Sequence, residues 1–231
     1  MDLAEPPVLR STEEEQDWIG RAIQAGLERP RLALVHYDRC AVIYGRSTVP
    51  AADVRDRARE AGCTVLQRRS GGGAVLAGPW MLGAALLVPP AAPLGRLGIA
   101  AAFRAFGGAW RHALGALGAA CHEPDADRIA RHNRMVAELG VNWVCFSGLS
   151  HGELVDAQDC KVLGLAQWRG NWGVLLSAGI LLQPVPWQLL GRVHLGMGQW
   201  EPGHAVTAGV GLDGGALGQE LLHVLRGVAI A

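Results

Sequence analysis

Lysine is almost absent from this sequence of 231 residues. Of its 21 basic residues, 20 are arginine and one, Lys161, is lysine. The two side chains differ in shape, in hydration and in how they fit a tight polar pocket, so a lone lysine among arginines suggests a chemical reason. Composition alone leaves two interpretations open: a chemical role for Lys161, or a single lysine on a solvated strand.

Excess charge and long apolar runs are also missing. The 21 basic residues are balanced by 21 acidic ones, which does not favour a nucleic-acid-binding protein with a basic face. The most apolar stretches, near residues 80–90 and 172–182, are shorter than the roughly 20 residues that a membrane span needs. The acidic N-terminus has no run typical of a signal peptide. We therefore expect a cytoplasmic protein that contacts neither nucleic acid nor membrane.

Paired cysteines are lacking too. The five cysteines are odd in number and form no CxxC motif. This spacing indicates a reduced protein whose thiols are all free, and it predicts no metal site. Cys40, Cys63 and Cys121 are interpreted as core or incidental residues.

Apolar residues and glycine, by contrast, are abundant. Half of the residues are apolar and 32 are glycine, which suits a large core with many turns or close backbone approaches. A helix is predicted near 12–28, with Ser11 and Glu14, or Thr12 and Glu15, as a capping box at its start. Residue patterns predict further helices near 50–61, 97–118, 185–192 and 213–226, and strands near 31–37, 40–44, 63–69, 80–88, 141–146, 153–155, 162–167 and 173–182. Because strands and helices do not alternate regularly, we predict an α+β fold: a single domain over residues 1–231, with a mixed, largely antiparallel sheet flanked by helices.

A glycine run follows the strand predicted at 63–69, in the segment Arg68-Arg69-Ser70-Gly71-Gly72-Gly73. Without Cβ atoms, such a loop can bring backbone N–H groups around an anion or a carboxyl oxygen, and a neighbouring arginine can clamp a carboxylate or phosphate. No Gly-Lys-Ser/Thr follows, which excludes a Walker loop, and the spacing does not fit the GxGxxG dinucleotide pattern. The alternative is a flexible turn without a ligand.

Lys161 lies in the segment Cys160-Lys161-Val162-Leu163-Gly164-Leu165-Ala166-Gln167. On a strand, Lys161 and Leu163 would face one way and Cys160 the other. The small residues Gly164 and Ala166 would allow a ligand or another chain segment to approach closely. A lysine beside an acyl carbonyl can stabilise developing negative charge. The alternative is an edge-strand lysine that opposes self-association.

These segments resemble the catalytic domain shared by lipoate–protein ligases and octanoyltransferases. Gly45-Arg46, Arg68–Val75 and Lys161–Gln167 follow the order and spacing of the family, with its RRxSGGGAV-like loop and KxxGxAQ-like strand, over about residues 30–182. The resemblance implies a sheet flanked by helices, akin to that of biotin–protein ligases. The GRGRxGR signature of biotin ligases is absent, which disfavours biotin as the substrate.

The resemblance also implies the residues of the site. In this family the loop lines the acyl pocket, and the lysine of the strand touches the carboxyl end of the acyl group. Lys161 would then be catalytic, and the substrate would lie against Arg69, Ser70, Gly71, Gly72, Gly73, Ala74, Val75, Leu163, Gly164 and Ala166. The family usually continues with a His-Asp pair and a Gly-Asn step, where this chain has Leu76-Ala77-Gly78-Pro79-Trp80.

Cys145 is the second catalytic candidate. Related octanoyltransferases carry a cysteine at about this place, just before a turn that contains Ser, Gly and Glu. A nearby lysine would favour the thiolate, which attacks thioesters well; a buried, inert cysteine is the alternative. His151 is a further candidate for a general base, and His204 for a residue that helps to close the pocket.

Three functional hypotheses follow. In the first, an octanoyl group passes from acyl carrier protein to Cys145 and then to a lysine of a lipoyl-domain protein, without a cofactor. Lys161→Ala and Cys145→Ser should then abolish transfer and leave the fold intact. In the second, the chain is an ATP-dependent lipoate–protein ligase that forms lipoyl-adenylate with ATP and Mg²⁺, and Cys145 only packs. The third is a non-catalytic family member that binds an acyl group or lipoate. The chain ends without the additional domain of many ATP-using ligases, which favours the transferase.

Overall fold

The computed structural model describes residues 1–196 and 207–227, which form nine β-strands and seven helices. The strands are β1 (Val8–Leu9), β2 (Arg31–His36), β3 (Ala41–Tyr44), β4 (Thr64–Gln67), β5 (Val75–Ala77), β6 (Met81–Val88), β7 (Leu154–Val155), β8 (Lys161–Gly170) and β9 (Gly173–Leu181). The helices are α1 (Thr12–Gln24), α2 (Val54–Glu60), α3 (Pro93–Arg96), α4 (Ile99–Ala116), α5 (Ala126–Glu138), α6 (Trp187–Leu195) and α7 (Gly214–Gly227). The predicted α+β architecture is confirmed.

Six strands form the larger sheet, in the order β1-β2-β6-β9-β8-β7. β1 and β2 are parallel, and the other neighbouring pairs are antiparallel. All eight residues of β6 are buried, because α4 and α7 cover one face of the sheet and α1 covers the other. A strand covered on both faces needs apolar residues at every position, which explains the continuous apolar run of β6. The mixed, largely antiparallel sheet is as predicted.

The smaller sheet has the order β4-β3-β5 and packs against α2 and α6. β3 runs parallel to β4 and antiparallel to β5. The strands predicted at 31–37 and 40–44 therefore belong to different sheets, although only a short turn separates them. The glycine loop connects β4 to β5, and so lies at the edge of the smaller sheet.

Cys40 and Cys63 form a disulfide, with their Cα atoms 4.6 Å apart. The expectation that all five thiols are free is therefore wrong for this pair. The cause is the parallel pairing of β3 and β4: Ala41 lies opposite Thr64, so the residues just before the two strands meet. The two cysteines are 23 positions apart, and no local motif indicates that they pair. Cys121, Cys145 and Cys160 are free.

Two elements beside the candidate site differ from the sequence prediction. The segment 141–146, predicted as a strand, is a series of turns, because the Ser147 hydroxyl bonds the carbonyl oxygens of Val141 and Val144 at 2.8 and 2.7 Å. Helix α5 was not predicted. The Asp125 side chain begins it by accepting a hydrogen bond from the backbone N–H of Arg128 at 2.7 Å.

Helix α1 begins where its capping residues predict. The Ser11 hydroxyl accepts from the N–H of Glu14 at 3.2 Å, and the Glu14 carboxylate accepts from the N–H of Arg10 at 2.8 Å. This start places Glu15 in the first turn, facing the larger sheet and only 7% exposed. Among the helices of residues 1–196 and 207–227, none has the length and apolar character that a membrane crossing requires.

Candidate active site

Cys145 lies directly beside the glycine loop. Its backbone N–H donates to the carbonyl oxygen of Ala74 at 2.8 Å, and the N–H of Ala74 donates to Trp143 at 2.7 Å. A parallel bridge between Ala74 and Val144 completes this contact. Backbone hydrogen bonds thus fix two motifs that are distant in the sequence against each other.

The glycine loop can approach Cys145 closely because Gly72 and Gly73 have no side chains. Gly72 has a φ of +104°, and a Cβ there would lie 2.5 Å from Nη2 of Arg68 and 3.5 Å from Sγ of Cys145. A Cβ at Gly73 would lie 2.1 Å from the carbonyl oxygen of Trp143. Within the described part of the chain, the N–H groups of Gly72 and Gly73 have no hydrogen-bond acceptor. They are therefore free to donate to an oxygen atom of a ligand in the adjoining cleft.

Lys161, the first residue of β8, is only 3% exposed. Its ammonium group donates to Oε2 of Glu153 and to the carbonyl oxygen of Gly148, each at 2.7 Å, and to the carbonyl oxygen of Cys145 at 3.3 Å. The interpretation of Lys161 as a solvated surface residue is therefore wrong. The only lysine of the chain forms a buried ion pair beside the candidate nucleophile.

Glu153 can hold Lys161 because its own carboxylate is held by the backbone. The N–H of Ser150 donates to Oε2 at 2.8 Å, and the N–H of Leu165 donates to Oε1 at 3.0 Å. A buried carboxylate needs such partners, since leaving it unpaired costs several kcal/mol. Glu153 thereby links the 148–153 loop, β8 and the lysine into one polar network.

The two adjacent arginines take different directions at the end of β4. The Arg68 guanidinium donates to the carbonyl oxygen of Gly71 through Nε at 3.2 Å and Nη2 at 2.7 Å, and Nη2 lies 3.5 Å from Sγ of Cys145. Arg69 instead bonds the backbone and side chain of Gln16 and lies over Trp168, 6.0 Å from the ring centroid. Arg68 is therefore the arginine beside the candidate nucleophile, and a substrate contact of Arg69 stays a prediction.

The carboxyl group of Glu15 is buried and lies within the influence of the Arg68 charge. Glu15 is only 7% exposed. Burial raises the pKa of Glu15 from an ordinary value of 4.5 to about 7, although the Arg68 charge opposes this rise. Burial also raises the pKa of Tyr37 well above its usual value. The site thus contains a carboxyl group that is partly protonated near neutral pH.

Two cavities meet at Cys145. The inner cavity, of about 50 Å³, lies between α1 and the larger sheet, and its apolar lining includes Val75, Met81, Phe146, Gly164 and Ala166. The outer cleft, of about 310 Å³, is lined by residues that include Gly72, Gly73, Asn133, Ser150, Glu153 and Lys161. Cys145 lines both cavities.

The remaining predicted substrate residues have varied surroundings. Ser70 and Ala74 are buried within the loop, and Gly71 accepts the bonds of Arg68. Leu163 packs in the core cluster that α4 and α7 cover. At Gly164 the close approach comes from the chain itself, because a Cβ there would lie 3.0 Å from the Phe146 ring. Their contacts with a substrate stay predictions.

Among the described residues, His151 is not part of the lining of the inner cavity or the outer cleft. His151 places Nδ1 3.0 Å from Nη2 of Arg104, on the exposed side of its loop. His204 lies outside the residues that the structure describes.

Sequence reasoning missed the parts played by Arg68, Glu15 and Glu153. A signal existed for Glu15, because it lies one helical turn before the buried Ile19 and so falls on the apolar face of α1. For Glu153, the sequence gives no sign that two backbone N–H groups would hold the carboxylate.

Comparisons with known proteins identify the family and support the fold. The sequence model of the family described as "Lipoyl protein ligase A/B catalytic domain" matches residues 14–185. This match covers more than half of the chain, and the chain therefore belongs to that family. It is an enzyme of the lipoate ligase and transferase family. None of the curated proteins compared with the chain matches it.

Solved structures show the same fold. The T. acidophilum protein Ta0514 with bound lipoic acid has a TM-score of 0.67 and 17% identity, over 96% of this chain and 85% of that one. Lipoate-protein ligase A bound with ATP has a TM-score of 0.67 and 16% identity over the same shares. A bipartite lipoate protein ligase from Thermoplasma acidophilum, studied with its E2 lipoyl domain, has a TM-score of 0.66 and 16% identity, over 96% of this chain and 82% of that one. At these identities the likeness supports the fold alone.

Proposed function

We propose that the protein is an acyltransferase of lipoate metabolism, which carries an octanoyl or lipoyl group as a thioester on Cys145. The observation that carries this proposal is the position of Cys145, which lines both the inner cavity and the outer cleft that also holds Lys161 and the glycine loop. An acyl chain bound in the inner cavity would present its carbonyl carbon to the sulfur. The acceptor amine would approach the same carbon from the outer cleft.

The reaction has two balanced steps. The Cys145 thiolate attacks the carbonyl carbon of a thioester donor; the new S–C bond forms, the donor C–S bond breaks, and the donor leaves as a thiol after gaining a proton. The neutral amine of the acceptor lysine then attacks the acyl-enzyme. An amide bond forms, the amine loses a proton, and the S–C bond breaks to restore the Cys145 thiolate. No ATP is consumed, because the donor thioester is already activated.

The developing negative charge lies on the carbonyl oxygen in both steps. The free N–H groups of Gly72 and Gly73 are suited to donate to that oxygen. Lys161 can assist by exchanging its longest hydrogen bond, the 3.3 Å contact with the Cys145 carbonyl oxygen, for the substrate oxygen. Its two 2.7 Å bonds would keep the ammonium group in place during this exchange.

The other free thiols are less suited to the role. Burial raises the pKa of Cys121 to about 11. Burial and the Asp156 carboxylate raise the pKa of Cys160. Since the thiolate is the nucleophile, neither group is favoured for attack at neutral pH.

We propose a lipoyl-domain protein as acceptor and an acylated acyl carrier protein as donor. Support for the acceptor comes from a relative: the bipartite T. acidophilum ligase, whose fold this chain shares, was analysed along with its E2 lipoyl domain. The donor follows from the proposed chemistry, which requires an activated thioester.

An ATP-dependent lipoate–protein ligase is the second candidate. The likeness of the fold to lipoate-protein ligase A bound with ATP favours it. The guanidinium of Arg68 and the free glycine N–H groups would also suit a phosphate. In this case ATP and Mg²⁺ would be required, and Cys145 would contribute packing only.

Intact-protein mass spectrometry separates the two candidates. The purified chain is mixed with octanoyl-acyl carrier protein without ATP, and the mass of the chain is followed. We expect an octanoyl adduct on wild type and on Cys160→Ser, and none on Cys145→Ser. Absence of the adduct on wild type removes the covalent relay, and transfer of free lipoate with ATP would then establish the ligase. No transfer from either donor would indicate a non-catalytic binding protein.

A further inference from the structure

Arg68 contacts the sulfur atom of Cys145, and neither step of the proposed relay assigns it a role. Its Nη2 lies 3.5 Å from Sγ of Cys145, within the distance of a hydrogen bond to sulfur. The guanidinium group carries a permanent positive charge, and the sulfur is negatively charged when it attacks and again when it leaves. The two groups are thus placed for a favourable interaction at both points of the cycle.

The loop is built so that Arg68 can reach the sulfur. Two hydrogen bonds to the carbonyl oxygen of Gly71 hold the guanidinium in one orientation. A Cβ on Gly72 would lie 2.5 Å from Nη2 and would displace the guanidinium. The glycine run therefore leaves room for the contact between Arg68 and the sulfur, and it also supplies the N–H groups that can bind a ligand oxygen.

Two buried side chains, those of Glu15 and Tyr37, line the same inner cavity as Arg68. Each of these residues is only 7% exposed. The charge of Arg68 acts on both groups, and all three line the inner cavity together with Cys145. Burying an acidic group costs free energy unless a partner offsets that cost, and the positive charge of Arg68 offsets part of it for Glu15.

We propose that Arg68 is a catalytic residue of the transfer, which stabilises negative charge on the Cys145 sulfur, and that Glu15 and Tyr37 are its positioning residues. This inference rests on the proposed covalent relay. Arg68 forms and breaks no covalent bond and moves no proton. It lowers the barrier to thioester attack in the first step and stabilises the departing thiolate in the second.

The test is the rate at which iodoacetamide alkylates Cys145 at pH 7.5, measured by peptide mass spectrometry. Iodoacetamide is neutral and needs no acyl pocket, so the rate reports the reactivity of the sulfur. Arg68→Gln should slow alkylation about tenfold, the effect of removing one close opposite charge. Arg68→Lys, which keeps the charge, should recover part of the rate. Arg59→Gln, which removes the charge of an exposed arginine outside the site, is the control, and its rate should equal that of wild type.

Cys160 provides an internal control in every sample, because its alkylation should not depend on Arg68 when the protein is folded. An equal rate at Cys145 in wild type and Arg68→Gln, with Cys160 unchanged, overturns the inference. The role of Glu15 is tested by Glu15→Gln alone and combined with Arg68→Gln. We expect Glu15→Gln to slow alkylation in wild type and to have no further effect once Arg68 is replaced. Additive effects would contradict the positioning role.

Octanoylation of the same variants separates this inference from the proposed function. A slower alkylation and a slower octanoylation of Arg68→Gln support both. If wild type alkylates in an Arg68-dependent manner but forms no octanoyl adduct, the relay is wrong and the catalytic role falls with it. If the adduct forms and Arg68→Gln reacts like wild type in both assays, the relay stands and Arg68 is not catalytic.

Discussion

Replacing Lys161 by methionine should destabilise the fold as well as abolish transfer. Methionine keeps an unbranched apolar stem as far as Cε but removes the ammonium group that pairs with Glu153 at 2.7 Å. Both side chains of this pair are 4% exposed, so the carboxylate would be left in a site that water hardly reaches. The structure thus changes the expectation that a Lys161 variant leaves the fold intact.

The size of the effect follows from the partners that remain. Removing one member of a buried ion pair costs about 3–5 kcal/mol. Glu153 keeps two backbone hydrogen bonds in the variant, from Ser150 and Leu165, so we expect the lower end of this range, about 3 kcal/mol. For a chain of this length, such a loss lowers Tm by roughly 6–12 °C.

Thermal unfolding followed by circular dichroism measures this difference. The matched control is Arg59→Met, which breaks the exposed pair of Arg59 with Asp56 at 3.0 Å. Exposed pairs of this kind contribute little, so the control should lie within about 0.5 kcal/mol of wild type. If Lys161→Met melts at the same temperature as the control, the buried pair is not the stabilising contact described above. Transfer assays of Lys161 variants should therefore be normalised to the amount of folded protein.

Three further predictions concern the Cys145 thiol, the buried Glu15 carboxyl group and the packing of α4 against the 148–153 loop. Cys145→Ser should lose octanoyl transfer completely while Cys121→Ser retains it, and equal transfer rates in the two would contradict the relay. The pKa of Glu15 is about 7 in the folded protein and 4.5 in the unfolded chain, so the folded state binds the proton more tightly. The stability that this proton provides is fully present below pH 4.5 and is lost as the pH rises through 7. In urea unfolding, Glu15→Gln should therefore gain stability relative to wild type at pH 8, by up to about 3 kcal/mol, with a smaller gain at pH 5; equal differences at both pH values would refute the argument. Gly107→Ala should destabilise by about 1–3 kcal/mol, because its Cβ would lie 1.8 Å from the carbonyl oxygen of Gly152, whereas Gly108→Ala, with open space, should not lower Tm.

The sequence was informative where a local pattern determines structure. The continuous apolar run of β6 and the capping residues of α1 predicted those elements, because burial on both faces and N-terminal hydrogen bonds depend on neighbouring residues. The glycine loop and Lys161 were also recognised, since a run of glycines and a single lysine stand out in any context. The structure brings both motifs to Cys145, which spacing alone left open.

Features that depend on the pairing of distant segments could not be predicted. Arg68 and Arg69 follow β4 directly, so only the path of the glycine loop decides which of them reaches the sulfur. The Cys40–Cys63 disulfide depends on the register of β3 against β4. The segment 141–146 has a strand-like composition, but the Ser147 hydroxyl holds it in turns. Each of these outcomes is set by tertiary contacts, which override local preference.

The measurement that tests the central claim most directly is a single-turnover chase of the isolated octanoyl-enzyme. The adduct is freed of donor, mixed with an apo lipoyl-domain protein in the absence of ATP, and both masses are followed with time. The covalent relay predicts that the octanoyl group leaves Cys145 at the same rate as it appears on the acceptor lysine. An adduct that persists, or that hydrolyses without modifying the acceptor, would contradict the relay.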